Sequence, residues 1–125
     1  MHQKTADLIA RIRELHTQIQ GLGAAMTESP ASRRLLRRLT AASTAVDAAY
    51  QAACVAGSRD RFILHVAAAA RHARRERRIL QDLTHLHHPS LDATRELILE
   101  ARGIEAILTA SRNTARRRRP ARGRA

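Results

Sequence analysis

The sequence predicts an all-α fold, an antiparallel up-down-up-down four-helix bundle, on three observations. Breaks rich in Gly, Pro, Ser and His cut the 125 residues into four long segments. Each segment is rich in Ala, Leu and Arg, which are good helix formers, and repeats apolar residues at steps of three and four. No stretch alternates apolar and polar residues as a strand would. Long amphipathic helices with short connections bury their stripes best by packing side by side.

The first helix is expected from about Gln3 to Ala25. Leu8, Ile12, Leu15, Ile19 and Leu22 draw one apolar stripe along it, and Gly21, Gly23 and Thr27-Glu28-Ser29-Pro30 end it. Ser29 and Pro30 open the second helix. A serine at the N-cap accepts a hydrogen bond from an orphan N–H, and proline at the first helical position lacks an N–H that would go unpaired anyway. The second stripe is Leu35, Leu39, Ala42, Val46, Ala49 and Ala53, flanked by Leu36 and Tyr50. Gly57 is placed to end the helix in the left-handed conformation.

Ser58 caps the third helix, with Asp60 in its first turn, where negative charge suits the helix dipole. Its stripe runs Phe62, Val66, Ala69, Ala73, Leu80 and Leu83, and Glu76 interrupts it. Either the seam drifts toward Ile79 or Glu76 meets an arginine at the surface; the drift is the preferred reading. Ser90 caps the fourth helix and Asp92 lies in its first turn. Its apolar positions are Leu91, Leu97, Ile98, Ile104, Ile107 and Leu108. Gly103 inside it costs about 1 kcal/mol against alanine and suits close approach of a neighbouring helix. Ala67 to Ala70, and seven alanines between Ala41 and Ala53, allow close packing on more than one helix face. A second subunit could occupy one of those faces.

The length fits one domain. Residues 1–111 form the bundle, and residues 112–125 form a basic tail expected to be disordered once it leaves the fourth helix, since Pro120 and Gly123 oppose continuation. The formal net charge is +12. The tail holds seven arginines and no acid, including the unbroken run Arg116, Arg117, Arg118 and Arg119. Residues 1–111 still carry 16 basic and 11 acidic side chains. Bundle and tail are therefore both basic. Such a tail repels itself and stays solvated until a polyanion neutralises it.

Two further clusters lie on helices. Arg33, Arg34, Arg37 and Arg38 share one side of the second helix's first turns. Arg71, Arg74, Arg75, Arg77 and Arg78 crowd the third, interrupted by Glu76. Like charges at these spacings destabilise an isolated helix, so phosphates or acidic residues on a neighbouring helix must offset the repulsion. The acidic supply is Glu14 on the first helix and Glu96, Glu100 and Glu105 on the fourth. One Phe, one Tyr and no Trp leave almost no platform for stacking bases. Nucleic-acid contact should therefore run through phosphates, with steep salt dependence and little sequence preference.

The chemistry of catalysis is not visible. Cys54 stands alone in an apolar run and reads as a small buried hydrophobe. His65, His72, His85, His87 and His88 suggest a metal at first sight, but the paired Glu-x-x-His pattern of di-metal bundles is absent. No phosphate-cradling loop, nucleophile elbow or HExxH motif occurs. No enzyme, metal or cofactor is expected. No secretory signal or membrane-spanning run is recognised, so a cytoplasmic location without membrane association is expected.

The layout resembles the four-helix-bundle family of ribosomal RNA intervening-sequence proteins and the accessory variability proteins of diversity-generating retroelements. Leu36-Arg37-Arg38-Leu39-Thr40-Ala41-Ala42 is similar to that family's apolar-Arg-Arg-Ala-Ala run. Ser58-x-x-x-Phe62-x-x-x-Val66-x-x-Ala69 is similar to its opening of the third helix, and Pro30 falls where the family often has a proline. The resemblance covers roughly residues 5–112. The family's Ile-Pro-Ala-Asn-Ile-Ala-Glu-Gly ending of the second helix is missing; this chain reads Val46-Asp47-Ala48-Ala49-Tyr50-Gln51-Ala52-Ala53. The resemblance implies a homo-oligomeric ring, in that family a pentamer, with a basic surface. In the retroelement branch it further implies binding to nucleic acid and a reverse transcriptase.

The expected function is a non-catalytic, oligomeric basic bundle that binds RNA or DNA mainly through phosphates. Arg33, Arg34, Arg37, Arg38, Arg74, Arg75 and Arg78 would give fixed contacts, and Arg116, Arg117, Arg118 and Arg119 a mobile arm. The alternative is a structural or protein-interaction scaffold without a nucleic-acid role.

Overall fold

A computed structural model describes residues 3–25, 29–86 and 91–118. Four helices follow in order: α1 (Gln3–Ala25), α2 (Pro30–Cys54), α3 (Arg59–Leu86) and α4 (Leu91–Arg117). They form the four-helix bundle. α1 packs on α2 and α4, and α3 packs on the same two from the other side. α3 is the most heavily engaged helix and α1 the least. None of these helices is long and apolar enough to cross a membrane.

Local chemistry sets most helix ends. Ser29 caps α2: its Oγ accepts from the Ser32 N–H at 3.1 Å, and Pro30 occupies the first turn. Ser58 Oγ likewise accepts from the Arg61 N–H at 3.1 Å, with Asp60 in the first turn of α3. The end of α2 departs from expectation. Val55, at φ −109°, closes it, and the Ala56 N–H donates to the Ala53 carbonyl at 3.2 Å. Gly57 is not in the left-handed region. The carbonyl pairing at Ala53 makes that conformation unnecessary. At the far end α4 continues to Arg117, so residues 112–117, counted with the tail from sequence, are helical. The Arg59 guanidinium donates to the Arg118 carbonyl, placing positive charge where the α4 dipole is negative. Ser90, His87, His88, Arg119, Pro120 and Gly123, with the side chains of Leu91 and Asp92, lie outside the described residues.

The core is built from the expected stripes, with shifts. Leu8, Ile12, Leu15 and Ile19 of α1 are buried, and Leu22 is half-buried. On α2, Leu36 is buried and Leu35 half-buried, the reverse of the expected roles. On α3, Ile63 enters the core and Phe62 packs at its margin. α3 lies between two neighbours, which widens its buried face and admits residues on both sides of a single stripe. Leu97, Ile104 and Leu108 are buried on α4, whereas Ile107 is exposed. Leu39, Val66, Leu80, Leu83, Ile104 and Leu108 have no appreciable exposure. Truncating one of the leucines to alanine should cost about 3–5 kcal/mol, transfer and cavity together. Cys54 is half-buried and not a full core member. Burial still pushes its thiol up, against a hydrogen bond from Tyr50.

Glu76 meets neither expectation. Ile79 is buried, as the drift required, yet Glu76 stays in the seam at 2% exposure. It joins a polar layer across three helices. His16 Nδ1 of α1 lies 2.8 Å from Ser43 Oγ of α2, and the Ser43 hydroxyl hydrogen-bonds toward the Glu76 carboxyl of α3. Among the described residues, Glu76 Oε1 has no hydrogen-bond partner. Burial pushes this carboxyl up to about 7, against the pull of Ser43. A carboxyl that stays protonated is the least costly form of a buried, half-satisfied group.

Candidate anion-binding face

The arginines on α2 and α3 do not act as two blocks. A hollow of about 510 Å³ opens along α3, flanked by α2 and α4. Arg38 from α2, Arg71, Arg74, Arg75 and Arg78 from α3, and Arg112 from α4 line it, over Ala70 and Ile79. Asp82 and Glu105 are the two carboxylates in its wall, so six guanidiniums face two acids. Thr109 adds a hydroxyl. A second hollow of about 430 Å³ shares Arg38 and Asp82 with the first and adds Arg34. The two hollows therefore form one line of arginines that runs from α2 across α3 to α4.

The helical turn explains the sorting. Arg34 and Arg38 are one turn apart on the α2 face toward α3. Arg33 and Arg37 lie about 100° away on the helix, are exposed and line neither hollow. On α3, Arg71, Arg74, Arg75 and Arg78 repeat at three and four. Arg77 is turned away toward α4. Its Nε donates to Glu105 Oε1 at 2.6 Å and its Nη1 to Gln81 at 3.4 Å. Arg74 Nε lies 3.5 Å from the other Glu105 oxygen. Burial alone would raise the Glu105 carboxyl. The hydrogen bonds and charges of Arg77 and Arg74 outweigh it and hold the pKa below its ordinary value. Glu105 is thus the acidic residue that offsets repulsion on α3, and it is committed to two arginines.

Among the described residues, Arg34, Arg38, Arg71, Arg75 and Arg78 have no carboxylate within ion-pair distance. Burial, and then the charges of Arg75 and Arg71, lower the His72 pKa, and among the described residues its Nδ1 is buried without a partner. Glu100, another of the four acids named from sequence, is engaged elsewhere: Arg11 grips it through two bonds of 3.1 and 2.6 Å. Gly103 makes room for that grip, since a Cβ there would sit 3.0 Å from Arg11 Nη2. The close approach at Gly103 is thus made by a side chain rather than by a helix backbone.

Of the tail arginines, Arg116 and Arg117 lie on the last turn of α4, and Arg118 follows it; all three are exposed. Arg117 Nη2 donates to Thr114 Oγ1 at 3.3 Å. Arg116 is one turn beyond Arg112 and shares its helix face, which extends the line of arginines toward the end of α4. Arg112 was counted with the tail and Arg71 was passed over as a site residue. The signal for Arg112 lay in the sequence: Glu105, Thr109 and Arg112 step by four and three, so a helix continuing past Ser111 carries all three on one face. Among the described residues, no group of three or more His, Cys, Asp or Glu could hold a metal ion. Comparison of the chain with protein-family models, curated proteins and solved structures gives no match.

Proposed function

We propose that this protein is a non-catalytic basic bundle that binds nucleic acid, RNA or DNA, through its phosphates. The observation that carries the reading is the hollow lined by six arginines from three helices and only two carboxylates, one of which is already shared by Arg74 and Arg77. Packing adds Arg38 and Arg112 to four arginines that α3 already sets on one face, and among the described residues most of the six lack a carboxylate partner. Bound phosphates would offset that repulsion. Arg38, Arg74, Arg75 and Arg78, with Arg34 beside them, are the fixed contacts. Arg33 and Arg37 lie on the adjacent flank, and Arg116, Arg117 and Arg118 extend the charge to the end of α4, with Arg119 next in sequence.

The resemblance to intervening-sequence and retroelement accessory proteins adds a homo-oligomer, a pentameric ring in that family, to this proposal. Several copies of the face on one ring would bind one polyanion with avidity. A reverse transcriptase partner belongs to the proposal only within the retroelement branch. A second reading, a protein-interaction scaffold, draws on exposed Leu64, Leu99 and Val55.

The test is binding of a labelled structured RNA and a matched DNA duplex across a salt series, by the full chain and by a chain ending at Arg118. The cut falls there because Arg112 belongs to the hollow and α4 runs to Arg117. Phosphate binding requires log affinity to fall linearly with log salt, with a slope near −0.7 to −0.9 per phosphate contact. Binding retained by the shorter chain with a shallower slope supports the face. Binding lost with residues 119–125 overturns it, and salt-indifferent partner capture would favour the scaffold.

A further inference from the structure

We infer that α1 is a pH-sensitive strap over the core: it lifts from α2 and α4 as a unit when Glu76 takes up charge, and so admits water to a carboxyl that the closed bundle leaves without a counter-ion. Three observations carry it.

The first is the position of Glu76. Its side chain lies in the seam at 2% exposure, in one polar layer with Ser43 of α2 and His16 of α1, and among the described residues its Oε1 has no hydrogen-bond partner. At that burial, water reaches the oxygen only when a helix moves. The second is what faces it. Among the described residues no ion pair reaches Glu76. α2 offers the Ser43 hydroxyl, and α1 offers His16, whose Nδ1 meets Ser43 at 2.8 Å rather than the carboxyl. Other charges on these helices are committed: Arg11 of α1 to Glu100 of α4, Arg13 of α1 to Asp47 of α2, and Arg74 and Arg77 of α3 to Glu105 of α4. His72, one turn before Glu76 on α3, has its pKa lowered by burial and then by Arg75 and Arg71, and so resists becoming the missing cation. A charge on Glu76 is therefore costly while the layer stays dry.

The third is the weak seating of α1. It is the least engaged helix, and it packs on α2 and α4 but not on α3. Its ion pairs to Glu100 and Asp47 are part-exposed, so solvent screens them. Gly21 and Gly23 lie in its last turns with open space where a Cβ would stand, so packing does not demand them, and each weakens the helix against alanine. Lifting α1 takes His16 from Ser43 and opens the layer, while α2 and α4 stay packed on α3. The stripe it uncovers, Leu8, Ile12, Leu15 and Ile19, is apolar, so the lifted state stays a minor population.

The experiment is amide hydrogen exchange of the full chain and of Glu76→Gln from pH 5 to pH 8, reported as protection factors so that the intrinsic pH dependence of exchange divides out. The α1 and α3 amides are read in the same sample. The α1 amides should be less protected than those of α3, because they exchange through a smaller opening. As pH rises, the open state ionises first and opening becomes easier. With Glu76 titrating at about 7 in the closed bundle and at its ordinary 4.5 once open, α1 protection in the wild type should fall about 70-fold across the series. In Glu76→Gln that fall should vanish, since other groups titrate alike in both chains. If α1 is as protected as α3, no separate lifting exists and the inference is overturned. It is overturned equally if α1 is less protected but indifferent to pH, or if the same fall persists in Glu76→Gln.

Discussion

Replacing Glu76 by glutamine should abolish a pH dependence of stability that the wild-type chain shows across the neutral range. The carboxyl is 2% exposed, Oε1 has no partner among the described residues, and its pKa is raised from 4.5 to about 7. Below pH 4.5 the group is protonated in both the folded and unfolded states and contributes no difference. Between 4.5 and about 7 the unfolded chain ionises while the folded one does not, so stability falls as pH rises through this window. Above about 7 both are ionised and the loss is complete. The interval converts at 1.36 kcal/mol per pH unit to about 3 kcal/mol. That is a large share of the 5–15 kcal/mol typical of a domain. The Glu76→Gln side chain keeps the shape and cannot ionise. Urea unfolding followed by circular dichroism, at half-unit steps from pH 4.5 to 8, gives both curves. Their difference should move by about 3 kcal/mol in favour of the glutamine variant on going from pH 4.5 to pH 8, because other titrating groups cancel. A flat difference curve would refute the burial argument. A difference of opposite sign would mean that Glu76 is stabilised as a carboxylate by a cation in the core.

Arg77→Ala should cost about 1–2 kcal/mol by removing a short charge-assisted bond to Glu105. Because Glu105 titrates below its ordinary value in the fold, its stabilisation is present above pH 4.5 and lost as pH falls through the depressed pKa, so the variant should show a smaller acid-side loss in the same urea assay. Gly103→Ala should gain about 1 kcal/mol in an Arg11→Ala background, where the new methyl meets only Glu100 Oε1 at an ordinary contact distance of 4.0 Å, and about half of that or less in the wild type, where it presses on Arg11 Nη2 at 3.0 Å; a thermal double-mutant cycle with no coupling would dismiss the contact. Ser29→Ala should cost about 1 kcal/mol through loss of the α2 cap, and Ser29→Asp should restore it in thermal unfolding.

The number of helices, the caps at Ser29 and Ser58 and most of the core stripe were legible in the sequence because each depends on interactions within about one turn of the chain. Leu8, Ile12, Leu15 and Ile19 are buried for the same reason that their spacing draws a line. Arginine clusters could be seen as clusters, but not divided. Whether Arg74, Arg77 or Arg78 finds a carboxylate depends on which face of α4 lies opposite, and Glu105 is 28 residues from Arg77 in the chain. The separation of Arg34 and Arg38 from Arg33 and Arg37 likewise follows from where α3 seats against α2. Glu76 was the position at which a local pattern had to fail. A carboxyl on an apolar stripe reads as an exception to be expelled, and only packing of α1 and α2 around it, with Ser43 and His16 supplying polar atoms, retains it in the core. Composition and periodicity determined a basic helical bundle; the packing of one helix against the next decided which charges meet acids, which line a hollow, and which carboxyl is buried.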